Sequence, residues 1–548
     1  MFNINEFEQQ ITGQMAATPT VGFAIAIVQG DDVRYARGFG TTSVEEGGVP
    51  ITPQTLFCIG SVTKPLTAAA IMRLVDRGVL DLDTAVSRYV PWLTFSHLEY
   101  ADGVTLRRLL SHTSGLIGTG GEFGPRDPSG LAAFMRERIP TAAFFAPPGT
   151  VHYYSNYGLS LAGYVAEMAT ETPYPDLMQE FVFTPLAMRR STFDRTMAMT
   201  YPCALPHTED DAGVLRVIHR VPDFAGGNPS GFTLSTVLDL ANIAIVHLNE
   251  GRFGGHAYLP PALVAAMHRP EAPLYTATEG GYGLACASAR YKGIRRVGHD
   301  GLLSSYTCRL MMAPAERVAV VAVSNYDFIR PGIIPIVDQA FDLLLNLPAG
   351  PTRPWAIAPP AERWPRYVGT YLSPKVGLAT IAVDAGALTV ERYEPRLRLD
   401  ALAPDLYHNL EESIAVGFVE NAQGEDGRTR YIVVDEQPYE RIDLDASFVP
   451  DPLRWEAYVG RYEEFPGDPY PIDILIREGR LIMDWFGKHT CMALSDTLFV
   501  SDRGTIEFLV AEDGAVAALN LNRSAIQWKV AAPPIVDTTA TGRSRARS

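Results

Sequence analysis

The chain is poor in lysine. Of its 46 Lys and Arg side chains only five are lysines: Lys64, Lys292, Lys375, Lys488 and Lys529. Positive charge is short overall, with a formal net charge of −16 at pH 7. That balance argues against nucleic acid or an anionic membrane as the main partner. Cysteine is scarce too. The five stand apart at 58, 203, 286, 308 and 491, without metal-ligand spacing, and read as reduced core thiols rather than a disulfide framework. Long apolar runs are missing. "VAVVAVSN" has the length of a buried strand, far below a membrane span. The opening "MFNINEFEQQITGQM" has neither a basic nor an apolar segment of signal-peptide type, so the expected compartment is the cytoplasm.

What is present suits a globular protein of more than one domain: 548 residues, 47% apolar and 20% charged. Two proline-rich seams, "LPAGPTRPWAIAPPAERWP" from Leu347 and "SFVPDPLRW" from Ser447, divide it. Each is followed by almost the same phrase. "RWPRYVGTY" begins at Arg363 and "RWEAYVGRY" at Arg454, an internal repeat. Both lead into alternating apolar stretches with tight turns at "DAGA" and "REGR", the pattern of antiparallel strands. The expected division is a mixed domain over 1–348, β-barrel repeats over 349–450 and 451–536, and a polar disordered tail over 537–548. Each barrel is expected to hold about seven or eight strands.

The first 348 residues mix the two periodicities. "VGFAIAIVQGDDVRYARGFG" reads as a hairpin, and the text around Arg295, "YTCRLMMAP" and "RVAVVAVSN" as further strands of the same sheet. Helical patterns cover 61–77, 103–112, 158–170, 235–250 and 333–346. Helices in the middle and strands at both ends predict an α+β domain whose sheet joins the two termini.

Within "FCIGSVTKPLTAAAIMRLVDRG", Lys64 follows Ser61 by three residues. Pro65 is tolerated only in a helix's first turn, so the helix cannot start much before Ser61. Ser61 then sits at the positive end of the helix dipole, with Lys64 on the same face. Lysine, unlike arginine, can give up its proton when desolvated. A nucleophile, a base and one oxyanion donor thus come from four residues. The bland alternative is a capping serine beside a solvent-facing lysine. Two further segments weigh against it: Tyr154-Ser155-Asn156 in "HYYSNYGLSLAGY", and His299-Asp300-Gly301 in "RRVGHDGLLSSY". Singly these could be a core tyrosine, a helix cap and an ordinary strand histidine. In the order S-x-x-K, Y-x-N, H-x-G they are specific.

With those motifs the chain resembles the penicillin-recognising serine hydrolases, in the branch of class C β-lactamases, D-alanyl-D-alanine peptidases, D-aminopeptidases and related esterases. The likeness runs over about residues 10–340 and includes "VTLRRLLSHTSGL", "TPLAMRRSTF", "PSGFTLSTVLDLA" and "YGLACA". The resemblance implies an antiparallel sheet flanked by helices plus an all-α lobe, with the site between them. It implies Ser61 as nucleophile, Lys64 and Tyr154 as proton carriers, and Asn156 orienting Lys64 and the substrate. Gly301 belongs to the third motif, and the Leu302 N–H is the implied second oxyanion donor. No cofactor or metal is expected.

His299 stands where β-lactamases and carboxypeptidases usually carry lysine, and a mostly neutral group there attracts a substrate carboxylate poorly. Ser304-Ser305 replaces small glycine-rich text, which alters the pocket. Two barrels behind such a domain look like the D-aminopeptidase layout, in which a barrel loop closes one side of the cleft. The expected substrate is therefore a small peptide, amide or ester, cut beside a D-residue or small neutral residue. An esterase, a β-lactamase-like hydrolase, a peptidase of linearised microcystin-type peptides and an acylated sensor are the alternatives. The oligomeric state, a homodimer included, stays open.

Overall fold

The computed structural model describes residues 3–530 apart from 19, 119–123, 211, 277–278, 349, 351–355, 393–395, 425, 465–470 and 512. The proposed tail over 537–548 and part of the first proline-rich seam lie outside the described residues. The described chain falls into two compact units. The first takes residues 1–359 with 400–422 and 433–438, and the second takes 360–399, 423–432 and 439–548.

The first unit is built on an eight-stranded antiparallel sheet. Its strands are β1 (Gly22–Gln29), β2 (Asp32–Gly40), β3 (Ala272–Pro273), β4 (Gly281–Tyr282), β5 (Ala287–Tyr291), β6 (Ile294–Leu303), β7 (Tyr306–Ala313) and β8 (Val318–Ser324). They lie in the order β2-β1-β8-β7-β6-β5-β4-β3. The N-terminal hairpin therefore pairs with the strands at the far end of the domain, and Ile25 faces Ala322 across β1 and β8. Alternation explains why β1 is apolar throughout. Phe23, Ile25 and Ile27 face one buried cluster with Phe7 and Ile11, and Ala24, Ala26 and Val28 face another. Helices α1 (Ile4–Ala17) and α5 (Ile334–Leu345) supply the first cluster, and α4 (Val237–Leu248) supplies the second.

Three helices begin near their expected positions for visible reasons. A single 3₁₀ turn, Gly60–Val62, leads into α2 (Thr63–Asp76), and Pro65 falls in its first turn. Helix α3 (Asn156–Thr170) starts two residues earlier than the apolar pattern, because the Ser155 side chain caps it by accepting the Gly158 N–H. Thr236 caps α4 in the same way through the Asp239 N–H. Ser304 and Ser305 both take left-handed φ, 44° and 66°. They close the two-residue hairpin between β6 and β7, a turn that requires that conformation at both positions.

Two antiparallel β-barrels follow in sequence. Nine strands lie between Gly369 and Ile442, and the eight from Gly460 to Val530 form a closed barrel. "DAGA" and "REGR" are two-residue hairpin turns, with Ala385-Gly386 and Glu478-Gly479 at positive φ.

Candidate active site

The site gathers three stretches of the first unit. Ser61 lies in the 3₁₀ turn at the mouth of α2, Tyr154 just before α3, and His299 to Leu302 on β6. Close backbone approach joins the first to the third. A Cβ on Gly301 would fall 2.0 Å from the Ile59 carbonyl oxygen and 3.2 Å from Ser61 N. One on Gly60 would fall 2.7 Å from Leu302 N. Only glycine permits two backbones to lie so near, and it brings the Ser61 and Leu302 amides to one place. The Leu302 side chain is 57% exposed, outside the strand's buried face.

The Ser61 hydroxyl oxygen has two partners. Lys64 Nζ lies 2.8 Å away, and the Tyr154 hydroxyl donates to it at 2.8 Å. Lys64 is fully buried and also donates to the Ser230 carbonyl at 2.6 Å. Burial holds its pKa well below the ordinary lysine value, because desolvation disfavours the charged ammonium. The same burial pushes Tyr154 above the ordinary phenol value, against the opposing bond to Ser61. Burial therefore favours the neutral amine on Lys64 and the protonated phenol on Tyr154. That combination can take a proton from Ser61 and supply one to a leaving group.

Asn156, expected to orient Lys64 and the substrate, begins α3 beside Tyr154. Its Oδ1 is buried without a hydrogen-bond partner, and the Ser230 carbonyl holds Lys64. Ser230 lies in "PSGFTLSTVLDLA", but a backbone acceptor leaves no residue-type signal in a sequence. Two histidines flank the machinery as neutral groups. His112 Nδ1 accepts the Ser155 N–H at 3.1 Å and so anchors the residue next to Tyr154. Burial, with His152 and Lys64 nearby, drives its pKa well down. His299 is 8% exposed, and desolvation, with Lys64 adding to it, lowers its pKa to about 3. Its Nε2 lies 2.9 Å from the Tyr282 hydroxyl and its Nδ1 2.5 Å from the Asp300 carbonyl. Asp300 itself is clamped by Arg309 at 2.7 and 2.9 Å.

The chain is similar to known proteins in sequence and in fold. The Beta-lactamase family profile matches residues 7–332. The chain belongs to the β-lactamase family. Penicillin-binding protein 4 of Amycolatopsis lactamdurans is 31% identical over 367 residues, 64% of this chain and 92% of that protein. Esterase EstB of Burkholderia gladioli is 35% identical over 189 residues, 32% of this chain and 47% of its own length. The crystal structure of SurE with D-Leu superposes with a TM-score of 0.59 at 23% identity, covering 80% of this chain and 99% of that one. It shares the fold. The protein is a serine hydrolase of the β-lactamase fold. Among the described residues no helix is long and apolar enough to cross a membrane, and no cluster of three or more His, Cys, Asp or Glu could hold a metal. The five cysteines are free, four of them buried.

Proposed function

We propose that the protein hydrolyses a small peptide or amide through an acyl-enzyme on Ser61, releasing an acyl residue that is small and neutral or of D configuration, in the manner of a D-aminopeptidase. Neutral Lys64 takes the Ser61 proton as the hydroxyl attacks the carbonyl carbon. The oxyanion forms between the Ser61 and Leu302 amides, and Tyr154 gives its proton to the departing amine. Tyr154 then recovers the proton that Lys64 took, which restores both groups, and water repeats the sequence on the ester.

The observation that carries the substrate class is His299. Both its nitrogens are committed, to Tyr282 and to the Asp300 carbonyl, and its pKa is depressed to about 3. No cation stands there to receive the carboxylate of a penicillin or of a C-terminal D-alanine, so recognition of the chain's other end is favoured. The D-Leu-bound neighbour of the same fold supports D configuration.

A panel of D-alanyl anilide, L-alanyl anilide, a chromogenic ester and a penicillin reporter tests the reading. D-Alanyl anilide is expected to be turned over well and penicillin poorly. Strong penicillinase activity with no turnover of either anilide would overturn it. Ester turnover alone would favour the esterase reading that the EstB segment suggests.

A further inference from the structure

Tyr282 carries a role that the motifs do not announce. It is 3% exposed on the two-residue strand β4, and its ring packs among three histidines: 5.0 Å from His112, 5.1 Å from His152 and 5.9 Å from His299. We infer that Tyr282 is a positioning residue: its hydroxyl fixes the His299 tautomer, and through it the backbone that presents the Leu302 N–H to the oxyanion. The inference rests on the Ser61 acyl-enzyme reading above.

Elimination fixes the tautomer. The Asp300 carbonyl can only accept, so the contact with His299 Nδ1 requires the proton on Nδ1. A neutral imidazole then carries its lone pair on Nε2, and that lone pair needs a donor. The Tyr154 hydroxyl is spent on Ser61, and no Lys64 contact to His299 is among its bonds, which go to Ser61 and the Ser230 carbonyl. The Tyr282 hydroxyl, 2.9 Å away, is the donor that remains. Tyr282 thus donates to His299, and His299 donates to the Asp300 carbonyl, two residues before Leu302.

The same stretch is fixed twice more. Arg309 clamps the Asp300 carboxylate, and Gly301 is pressed against the Ile59 carbonyl. Gly301 is paired with Cys308 in the β6–β7 ladder, and the His299 bond to the Asp300 carbonyl holds the other side of the same peptide. In this protein the histidine of H-x-G acts as a backbone brace rather than as a substrate-facing cation. A lysine there could not do this, since it offers no acceptor to the Tyr282 hydroxyl.

The test uses the full-length protein with an activated ester, an arylboronic acid as tetrahedral mimic, and ¹⁵N-histidine NMR at pH 7. His299→Asn assigns the His299 resonance by its loss. Wild type should show His299 protonated on Nδ1 with a hydrogen-bonded Nε2. In Tyr282→Phe the Nε2 signal should move to that of a free lone pair. The kcat should fall roughly three- to tenfold, the scale of one hydrogen bond, with KM nearly unchanged and the boronate weakened by the same factor. His299→Asn, whose amide N–H can still reach the Asp300 carbonyl, should keep more kcat than His299→Lys. A wild-type His299 protonated on Nε2, or a Tyr282→Phe enzyme with unaltered kcat and boronate affinity, would overturn the inference and leave the Ser61 reading standing. Ester turnover without amide turnover would count against the peptidase reading alone.

Discussion

Lys64 and Lys529 each lie over a tyrosine ring and bond a backbone carbonyl, yet do different things. Lys64 Nζ lies 4.8 Å from the Tyr154 ring centroid and bonds the Ser230 carbonyl at 2.6 Å. Lys529 Nζ lies 5.8 Å from the Tyr462 ring centroid and bonds the Ala457 carbonyl at 2.7 Å. Both are lowered in pKa by burial, but Lys64 far more. The phenols point differently as well: Tyr154 to the Ser61 hydroxyl, Tyr462 to the Tyr458 carbonyl at 2.7 Å. A lysine on a tyrosine is therefore not a site by itself. Complete burial makes the amine a base, and a hydroxyl between amine and phenol gives it something to activate. The first copy of the repeat makes the same point, since there the cation over Tyr371 is Arg441, 4.7 Å from the ring centroid. Structure accepts either cation in the repeat, whereas proton transfer accepts only lysine.

The largest effects should come from breaking that contrast at the cleft. Ser61→Ala should abolish the acyl-enzyme burst and the covalent adduct seen by mass spectrometry. Lys64→Arg should cost about 10²–10⁴ in kcat/KM, as much as Lys64→Ala, because guanidinium keeps the charge and cannot exchange the proton. Activity should rise with pH as Lys64 loses its proton and persist into alkali, since Tyr154 is raised. A Lys64→Arg enzyme with most of its activity would reduce Lys64 to an electrostatic anchor.

Much of this was legible before the structure, for uneven reasons. Strand alternation and helix periodicity report burial directly, so the terminal strands, the five helical patterns and the "DAGA" and "REGR" hairpins all left marks in residue type. The S-x-x-K spacing placed Lys64 beside Ser61 because one helix turn fixes the geometry. Ser230 and Ser155 were not legible as partners. One contributes a backbone carbonyl 166 residues from Lys64, and the other a cap where Asn156 looked the better candidate. His112 and Tyr282 stood inside quoted segments without roles, since a buried histidine bonded to backbone looks, in sequence, like any other. The repeated Tyr-Val-Gly phrase is structural. Cβ atoms on Gly369 and Gly460 would collide with Arg441 and Lys529, at 2.0 and 2.7 Å, so each glycine makes room for the cation over the tyrosine.

A second contrast separates the two compact units by acid sensitivity. The first holds buried His112, His152, His247, His268 and His299, all depressed by desolvation, with His152 and His247 at about 4 and His299 at about 3. The second contains one histidine, His489. Unfolded histidines titrate near 6.5, so below that pH the unfolded first unit binds protons that the folded one refuses. Its stability is fully present above about pH 6.5 and is lost as pH falls toward 4 and then 3. The slope approaches about 1.4 kcal/mol per pH unit for each histidine in that window. Hydrogen exchange from pH 7.5 to 5 should show protection falling in the first unit well before the second. Equal loss in both would show that the histidines do not set the acid limit.

The smallest effect tests the repeat itself, where the two cations differ only in kind. Arg441 donates to three carbonyls, of Val368 at 2.7 Å, Thr429 at 2.8 Å and Arg366 at 2.8 Å. Lys529 reaches one, of Ala457. Arg441→Lys therefore loses two bonds from a planar fork that a single ammonium cannot reproduce, at a cost of about 1–2 kcal/mol. Lys529→Arg removes no bond that arginine cannot remake, and should fall within about 0.5 kcal/mol of wild type. Denaturant midpoints of the two variants measure the difference, and neither should change kcat on an ester. Equal stabilities would mean that the arginine fork adds nothing beyond the charge over the tyrosine. A larger loss in Lys529→Arg would place the constraint in the space beside Gly460, where an added Cβ would fall 2.7 Å from the lysine stem.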